Sequence, residues 1–152
     1  MSTVTPIIVA EDIPNVALGA RSALRRGSAT LGEYGSGPIQ VVASGQLLLQ
    51  WLEDQPPSSV RLILLDYGLT DGPSTNVVAQ VRNGDGMTRH PALHSDALMI
   101  GWSAHPEAPA AFQDLKLDGW ISKHRSITNL AQDVAEIIQR RKNGEIWVEL
   151  LV

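Results

Sequence analysis

The chain contains no cysteine, no long apolar run and no excess of basic residues, and each absence excludes a class of protein. Without cysteine there is no disulfide framework, no thiol nucleophile and no cysteine-based zinc site. No apolar run approaches the ~20 residues of a membrane-spanning helix. The net charge of -4 provides no basic surface for nucleic acid, so we expect neither direct nucleic acid binding nor membrane insertion.

The N-terminal segment, MSTVTPIIVA, has no basic flank before its short apolar run and does not match a signal peptide. We therefore expect a cytoplasmic protein. A length of 152 residues suits one domain with a substantial core, and 43% hydrophobic with 18% charged residues is typical of a globular chain.

Short continuous apolar runs alternate along the chain with stretches of helical period. Continuous apolar character is typical of strands buried on both faces of a parallel sheet. The clearest helical stretch begins at Ile127 and ends in the basic triplet 140–142. The pattern predicts an α/β domain of three layers, in which five strands alternate with five helices. The predicted strands are Pro6–Ala10, Ile39–Ala43, Leu62–Leu65, Ala97–Trp102 and Gly119–Ile121.

Three segments lie outside these predicted elements. Residues 27–38 are rich in glycine and serine, residues 83–96 are polar, and both are predicted as surface loops. The domain is expected to span residues 1–144, followed by a tail over 145–152 that contains the apolar run IWVELLV. That tail either packs against its own domain, contacts a second copy or begins a linker.

Polar residues follow four of the predicted strands. Glu11 and Asp12 come after the first strand, Asp66 after the third, Ser103 after the fourth and Lys123 after the fifth. Ligands of open parallel sheets bind beyond these carboxyl ends. Three clustered carboxylates repel one another, and Mg²⁺ relieves that cost because it takes carboxylates together with waters and phosphate oxygens. The set predicts phosphoryl transfer, with Asp66 as nucleophile and Ser103 and Lys123 on the phosphoryl oxygens.

Each of these residues alone has a simpler explanation. An aspartate at a strand end usually stabilises a turn, and an acidic pair usually begins a solvated helix. A single lysine is usually exposed to solvent. Joint occurrence at four strand ends favours the functional interpretation.

Four segments give the sequence a resemblance to the receiver domains of two-component response regulators over nearly the whole chain. They are VAEDIPNVALGARSAL, LLDYGLTDG, GWSA and LDGWISK, which are similar to the family's acidic pair with its first helix, its phosphoacceptor loop, its hydroxyl segment and its closing run. The resemblance implies a flavodoxin-like (βα)5 fold with strand order 2-1-3-4-5. The segments AEDIPNVALGARSALRR and LAQDVAEIIQRRKNGE look most like receivers that precede a LuxR/NarL-type helix-turn-helix domain.

The resemblance also implies a chemistry for the strand ends. Asp66 would accept phosphate from a sensor histidine kinase. Glu11, Asp12 and Asp66 would bind Mg²⁺ together with the backbone carbonyl of Gly68. The chain would catalyse only its own phosphorylation and dephosphorylation. A phosphatase with an aspartyl-phosphate intermediate usually has a second acid at the position of Gly68, so turnover of an external substrate is not expected.

The switching residues follow from the same resemblance. Ser103, the adjacent Ala104 and Lys123 would bind the phosphoryl group, and Trp120 stands where the family has a switch aromatic. Phosphorylation would then reshape the face formed by the fourth helix, fifth strand and fifth helix. His105, two residues after Ser103, either tunes water access to the acyl phosphate or simply begins a helix in solvent.

Three residues depart from the family pattern. Thr70 replaces a proline and is expected to loosen the phosphoacceptor loop. His124 replaces a proline that often follows a cis peptide, so the bend there is expected to be built differently. Trp120 is bulkier than the usual tyrosine or phenylalanine and needs more room to swing.

These departures leave alternatives open. The main one is an interaction module that keeps the receiver fold but works without phosphorylation. The chain is either a stand-alone receiver or a fragment of a transcription regulator whose DNA-binding output domain is absent, and a homodimer is open too. The four histidines, which include His90 and His94, have no compact spacing for a metal site.

Overall fold

The computed structural model describes residues 7–56, 58–83 and 96–151, and there the chain forms one main parallel sheet with helices on both faces. Its strands are β1 Ile7–Ala10, β2 Ile39–Val42, β3 Leu62–Leu65, β6 Leu98–Ser103, β7 Gly119–Ser122 and β8 Val148–Leu150. Strands β4 Gly68–Leu69 and β5 Gly72–Pro73 form a separate small hairpin. The helices are α1 Pro14–Arg26, α2 Ser28–Leu31, α3 Gly45–Glu53, α4 Thr75–Asn83, α5 Ala108–Asp114 and α6 Leu130–Lys142.

The strand order confirms the predicted fold class. The main sheet runs β2-β1-β3-β6-β7-β8, with every pair parallel, so its first five strands follow the order 2-1-3-4-5. Pro6, the predicted first residue of the first strand, lies outside the described residues. Within the described residues the sheet also contains a sixth strand, β8, and three of the predicted strands, those at Ile39, Ala97 and Gly119, have bounds that differ by one residue.

The sheet is buried on both faces, as the continuous apolar runs predicted. Ile7 and Val9 of β1 face a core that includes residues of α1, α2 and α6. Ile8 and Ala10, which alternate with them, face a second core that includes residues of α3, α4 and α5. Side chains alternate across a strand, so a strand between two helical layers needs apolar residues at every position.

The sixth strand comes from the predicted tail. Val148 and Leu150 are only 1% and 6% exposed and join the core on the α6 side. The neighbouring strand accepts β8 because residue 119 is glycine: a Cβ at Gly119 would lie 2.6 Å from the carbonyl oxygen of Val148. Gly144, with φ of +99°, lies between α6 and this strand. The apolar run therefore contains a strand of the domain's own sheet.

The predicted surface loop over residues 27–38 contains helix α2 and a turn of 3-10 helix at Gly32–Gly35. Leu31 is buried, and Tyr34 packs partly buried against the same core. The glycine and serine content obscured a helical turn that is anchored by these two side chains. Most of the second predicted loop lies outside the described residues. No helix among those that are described is long and apolar enough to cross a membrane.

Adjacent leucines test whether β8 belongs to the domain. Leu150→Ala should lower the free energy of unfolding by about 2 kcal/mol because it leaves a cavity in the core. Leu151, which is 59% exposed, provides the matched control, and Leu151→Ala should stay within about 0.5 kcal/mol of wild type. Urea unfolding measures both. Equal and small effects would show that β8 is not part of the cooperative unit.

Candidate functional site

Three carboxylates converge at the carboxyl end of the sheet because β1 and β3 are adjacent. One oxygen each from Glu11, Asp12 and Asp66 lies within 4.8 Å of the others. Glu11 and Asp66 are 1% and 6% exposed, and Asp12 is half-buried. The amides of Glu11 and Asp66 continue the strand ladders, since each donates to a carbonyl of a neighbouring strand at 2.9 Å. The hydrogen bonds of the sheet thus fix the backbone positions from which these two side chains extend.

Lys123, which follows β7, reaches two of the three acids. Its Nζ donates to both carboxylate oxygens of Glu11, at 2.9 and 3.0 Å, and lies 3.2 Å from Asp66 Oδ1. Its backbone amide donates to the carbonyl of Ser103 at 3.1 Å, which holds the loop against the end of β6. The structure therefore brings the predicted acids and the predicted amine together.

Glu11, one of the two buried acids of this cluster, has a perturbed pKa. Burial, and next a hydrogen bond with Asp66, raise the pKa of Glu11 to about 8 in spite of the opposing effect of Lys123. The pocket therefore resists a full set of negative charges unless a further cation enters. All three side chains offer the oxygen ligands that Mg²⁺ prefers, so the residues present fit this ion.

Ser103 and the residues after it line the same edge. Ser103 is fully buried, and its hydroxyl oxygen accepts a hydrogen bond from the amide of His105 at 3.0 Å, while Ala104 is exposed. The His105 ring lies 5.2 Å from the ring of Tyr67, and a Cβ at Gly68 would meet His105 Nε2 at 3.3 Å. The structure thus places His105 directly against the loop that follows Asp66.

Trp120 is turned into the protein rather than toward solvent. It is 6% exposed and packs in the core on the α5 side, opposite Glu149 of β8 in the sheet register. A Cβ at Gly101 would lie 2.5 Å from Phe112 and 3.2 Å from Trp120, so glycine there makes room for both rings. Among the described residues, the indole N–H of Trp120 has no hydrogen-bond partner.

The loop that follows Asp66 is hydrogen-bonded to the residues at the start of α3. The Thr70 hydroxyl donates to the carbonyl of Ala43 at 3.2 Å. The carboxylate of Asp71 accepts from the amides of Gly45 and Gln46, both at 2.9 Å, and these bonds lower the pKa of Asp71. Sequence reasoning missed Asp71 because an Asp-Gly pair looks like a local turn signal. The sequence predicts that Thr70 loosens this loop. In the structure, these three hydrogen bonds hold the loop against residues 43–46.

The bend after Lys123 contains no proline and is held by polar contacts. The amides of His124 and Arg125 donate to the Oγ and carbonyl oxygen of Ser122, each at 3.1 Å. The Arg125 guanidinium forms two 2.9 Å hydrogen bonds to the Asp133 carboxylate and donates to the Leu151 carbonyl at 2.6 Å. The bend is therefore linked directly to the end of β8.

Sequence reasoning also missed Trp102, the residue before the predicted hydroxyl. The Nζ of Lys123 lies 4.8 Å from the centre of a Trp102 ring. The available signal was an aromatic residue at a strand end, next to a polar residue already assigned to the site.

His90 and His94 lie outside the described residues. The three acids form the one potential metal-binding group found in the described part of the chain.

No model of a known protein family matches the chain, and a search of characterised proteins returns no match. Solved structures match most of it. A LuxR family DNA-binding response regulator from Silicibacter pomeroyi has 20% identity and a TM-score of 0.65 over 97% of this chain and 98% of that one. The phosphorylated cyanobacterial phytochrome response regulator RcpA has 20% identity and a TM-score of 0.65 over 90% and 92%.

The chemotaxis response regulator CheY4 of Vibrio cholerae, at 12% identity, has a TM-score of 0.62 over 89% of this chain and 99% of that one. Sequence identities this low are evidence for a shared fold alone. The chain has the flavodoxin-like fold of response regulator receiver domains, LuxR-family ones among them, and the resemblance found in the sequence is confirmed at that level.

Glu11 should make stability depend on pH with a defined sign. Its pKa rises from an ordinary 4.5 to about 8 on folding. The stability it contributes is therefore complete below about pH 4.5 and is lost as the pH rises through about 8. Because Mg²⁺ would bind the ionised form of the carboxylate, we expect it to raise the unfolding temperature more at about pH 8 than at about pH 5.

Thermal unfolding in EDTA and in millimolar Mg²⁺ measures this effect. Glu11→Gln, which cannot ionise, should flatten the pH dependence and weaken the effect of Mg²⁺. An unchanged pH slope in Glu11→Gln would show that another group is responsible.

Proposed function

We propose that this chain, which has the receiver fold, is a response regulator receiver that accepts a phosphoryl group on Asp66. The observation that carries the proposal is the convergence of Glu11, Asp12 and Asp66 within 4.8 Å of one another, with the Lys123 ammonium on two of them. A turn-stabilising aspartate requires neither the other acids nor the lysine. A structural ion pair needs one acid for its cation, whereas here the lysine lies on two acids and a third is beside them.

Each residue has a role in the proposed transfer. Asp66 is the nucleophile, so one of its carboxylate oxygens forms the bond to phosphorus while the bond from phosphorus to the donor breaks. Lys123 stabilises the charge on the phosphoryl oxygens, and Ser103 with Ala104 binds another of them. Mg²⁺, held by Glu11, Asp12, Asp66 and the Gly68 carbonyl, would neutralise charge on the incoming group.

The donor in this proposal is the phosphohistidine of a sensor kinase, in the cytoplasm. The chain catalyses only its own phosphorylation and dephosphorylation, because Gly68 offers no acid for turnover of a second substrate. His105, which contacts the space above Gly68, would control the approach of water to the acyl phosphate. Its imidazole lies close enough to the loop to restrict that approach.

The proposed consequence is a change in the face that carries Trp120. In this chain that face includes α5, β7 and α6, and the edge of β7 is covered by β8. A LuxR/NarL-type output domain, a second copy of the chain or another protein would then respond to the change. The tie from Arg125 to Leu151 links the lysine loop to the covering strand.

Small phosphodonors test the central residue. Incubation with acetyl phosphate and Mg²⁺ should label wild type, and Asp66→Asn should abolish labelling because the amide is not a nucleophile toward phosphorus. Asp114→Asn, at an exposed aspartate of α5, is the matched control and should label like wild type. Gel retardation on a phosphate-binding matrix measures the labelled fraction. Labelling that survives Asp66→Asn would refute the assignment.

A second candidate is an interaction module that works without phosphorylation. It is favoured by β8, which covers the edge of β7, and by the inward position of Trp120. In such a module the surface beside Trp120 is already fixed. No phosphoryl group would be needed to create it.

Beryllofluoride separates the two candidates, because with Mg²⁺ it mimics an aspartyl phosphate. The receiver proposal expects saturable changes in tryptophan emission, since Trp102 lies against Lys123 and Trp120 lies three residues before it. Asp66→Asn should remove the response. An absence of response in wild type at millimolar beryllofluoride would favour the phosphorylation-independent module.

A further inference from the structure

Lys123 has a third neighbour besides its two carboxylate partners. Its Nζ lies 4.8 Å from the centre of a Trp102 ring, within the ~6 Å at which a cation is attracted to an aromatic face. Trp102 is 4% exposed and belongs to the core on the α1 and α6 side of the sheet. The indole is therefore a fixed wall for the ammonium and not a mobile surface side chain.

We infer that Trp102 is a positioning residue that holds the Lys123 ammonium in place for phosphoryl transfer to Asp66. This inference rests on the proposed function and deepens it. The side chain of Lys123 is only 19% exposed, so the indole replaces part of the water that an exposed ammonium would have. The attraction between a cation and an aromatic ring is stronger when both are shielded from water than when they are exposed to it.

A third contact matters because the ammonium lies at unequal distances from the two acids. Glu11 accepts at both of its oxygens, at 2.9 and 3.0 Å, whereas Asp66 Oδ1 is 3.2 Å away. Without the indole, the ammonium would be free to shift further onto Glu11. That shift would take the positive charge away from the oxygen where the phosphoryl group must bind.

The contact also suits a cation that has to change partners during the reaction. In transfer from acetyl phosphate, the bond from phosphorus to the acetyl oxygen breaks, the bond from phosphorus to Asp66 Oδ forms, and acetate leaves with the electron pair. Lys123 must then turn a donor from Asp66 to a phosphoryl oxygen. Attraction to a π face does not fix the direction of any N–H bond, so the ammonium can rotate while it stays over the ring.

A graded series of substitutions tests the inference. Trp102→Leu keeps an apolar side chain but removes the π face, and Trp102→Phe keeps a weaker one. We expect the labelling rate with acetyl phosphate and saturating Mg²⁺ to fall about tenfold in Trp102→Leu and about threefold in Trp102→Phe. Trp51→Leu, at a partly buried tryptophan of α3, is the matched control and should label at the wild-type rate.

The same substitutions in a Lys123→Met background separate positioning from general damage. If Trp102 acts through Lys123, Trp102→Leu should change the already slow labelling of Lys123→Met by less than about twofold. An equal tenfold loss in both backgrounds would overturn the inference, because the indole would then act independently of the lysine. Wild-type labelling in Trp102→Leu would overturn it as well.

A spectroscopic arm keeps this inference distinct from the proposed function. Ring currents should shift the Lys123 ε-methylene protons upfield in the unphosphorylated protein, and Trp102→Leu should remove that shift. Ordinary methylene shifts in wild type would refute the contact itself. A wild type that shows the shift but takes no label would instead refute the proposed phosphorylation and, with it, the role of Trp102 in transfer.

Discussion

The Lys123 ammonium lies between the carboxylates of Glu11 and Asp66, and the arrangement of the candidate site depends on this pairing. Two largely buried acids and a third beside them would repel one another strongly without a cation. One lysine does not balance three carboxylates, and burial, followed by a hydrogen bond with Asp66, raises the pKa of Glu11 in spite of that lysine. The cluster therefore has an excess of negative charge, which a divalent cation would neutralise.

The sheet brings these groups together because its strand order places β1 beside β3, with β6 and then β7 on the other side of β3. The same order allows β8 to close the edge next to β7. Arg125 then joins the two regions, since it lies two residues after Lys123 and binds both Asp133 and the end of β8. Arg125 therefore connects the lysine loop to the strand that pairs with the edge of β7.

The sequence allowed prediction of features that depend on short segments. Continuous apolar runs mark strands buried on both faces, and each polar residue directly after such a run lies at the carboxyl edge by necessity. The long-range details could not be predicted in this way. Asp71 binds α3 from 25 and 26 residues away, and the place of β8 depends on the missing side chain at Gly119. An apolar tail alone does not reveal such a fit.

The role of Trp102 escaped sequence reasoning for a related reason. A tryptophan in an apolar strand is usually a core residue, and this one is, yet its ring also meets a cation. Trp120, whose place in a motif predicts a switch residue, has its ring packed beside Gly101 and Phe112. In both cases the direction of the side chain depends on the packed fold and could not be predicted from the sequence.

The central claim is that Asp66 itself forms the acyl phosphate, and chemical trapping examines it most directly. Borohydride reduces an aspartyl phosphate to homoserine, which peptide mass spectrometry locates within the chain. After reaction with acetyl phosphate and Mg²⁺, we expect homoserine at position 66 in the peptide that contains LILLDYGLTDG. Homoserine at Asp12 or another aspartate, or none at all, would contradict phosphorylation of Asp66.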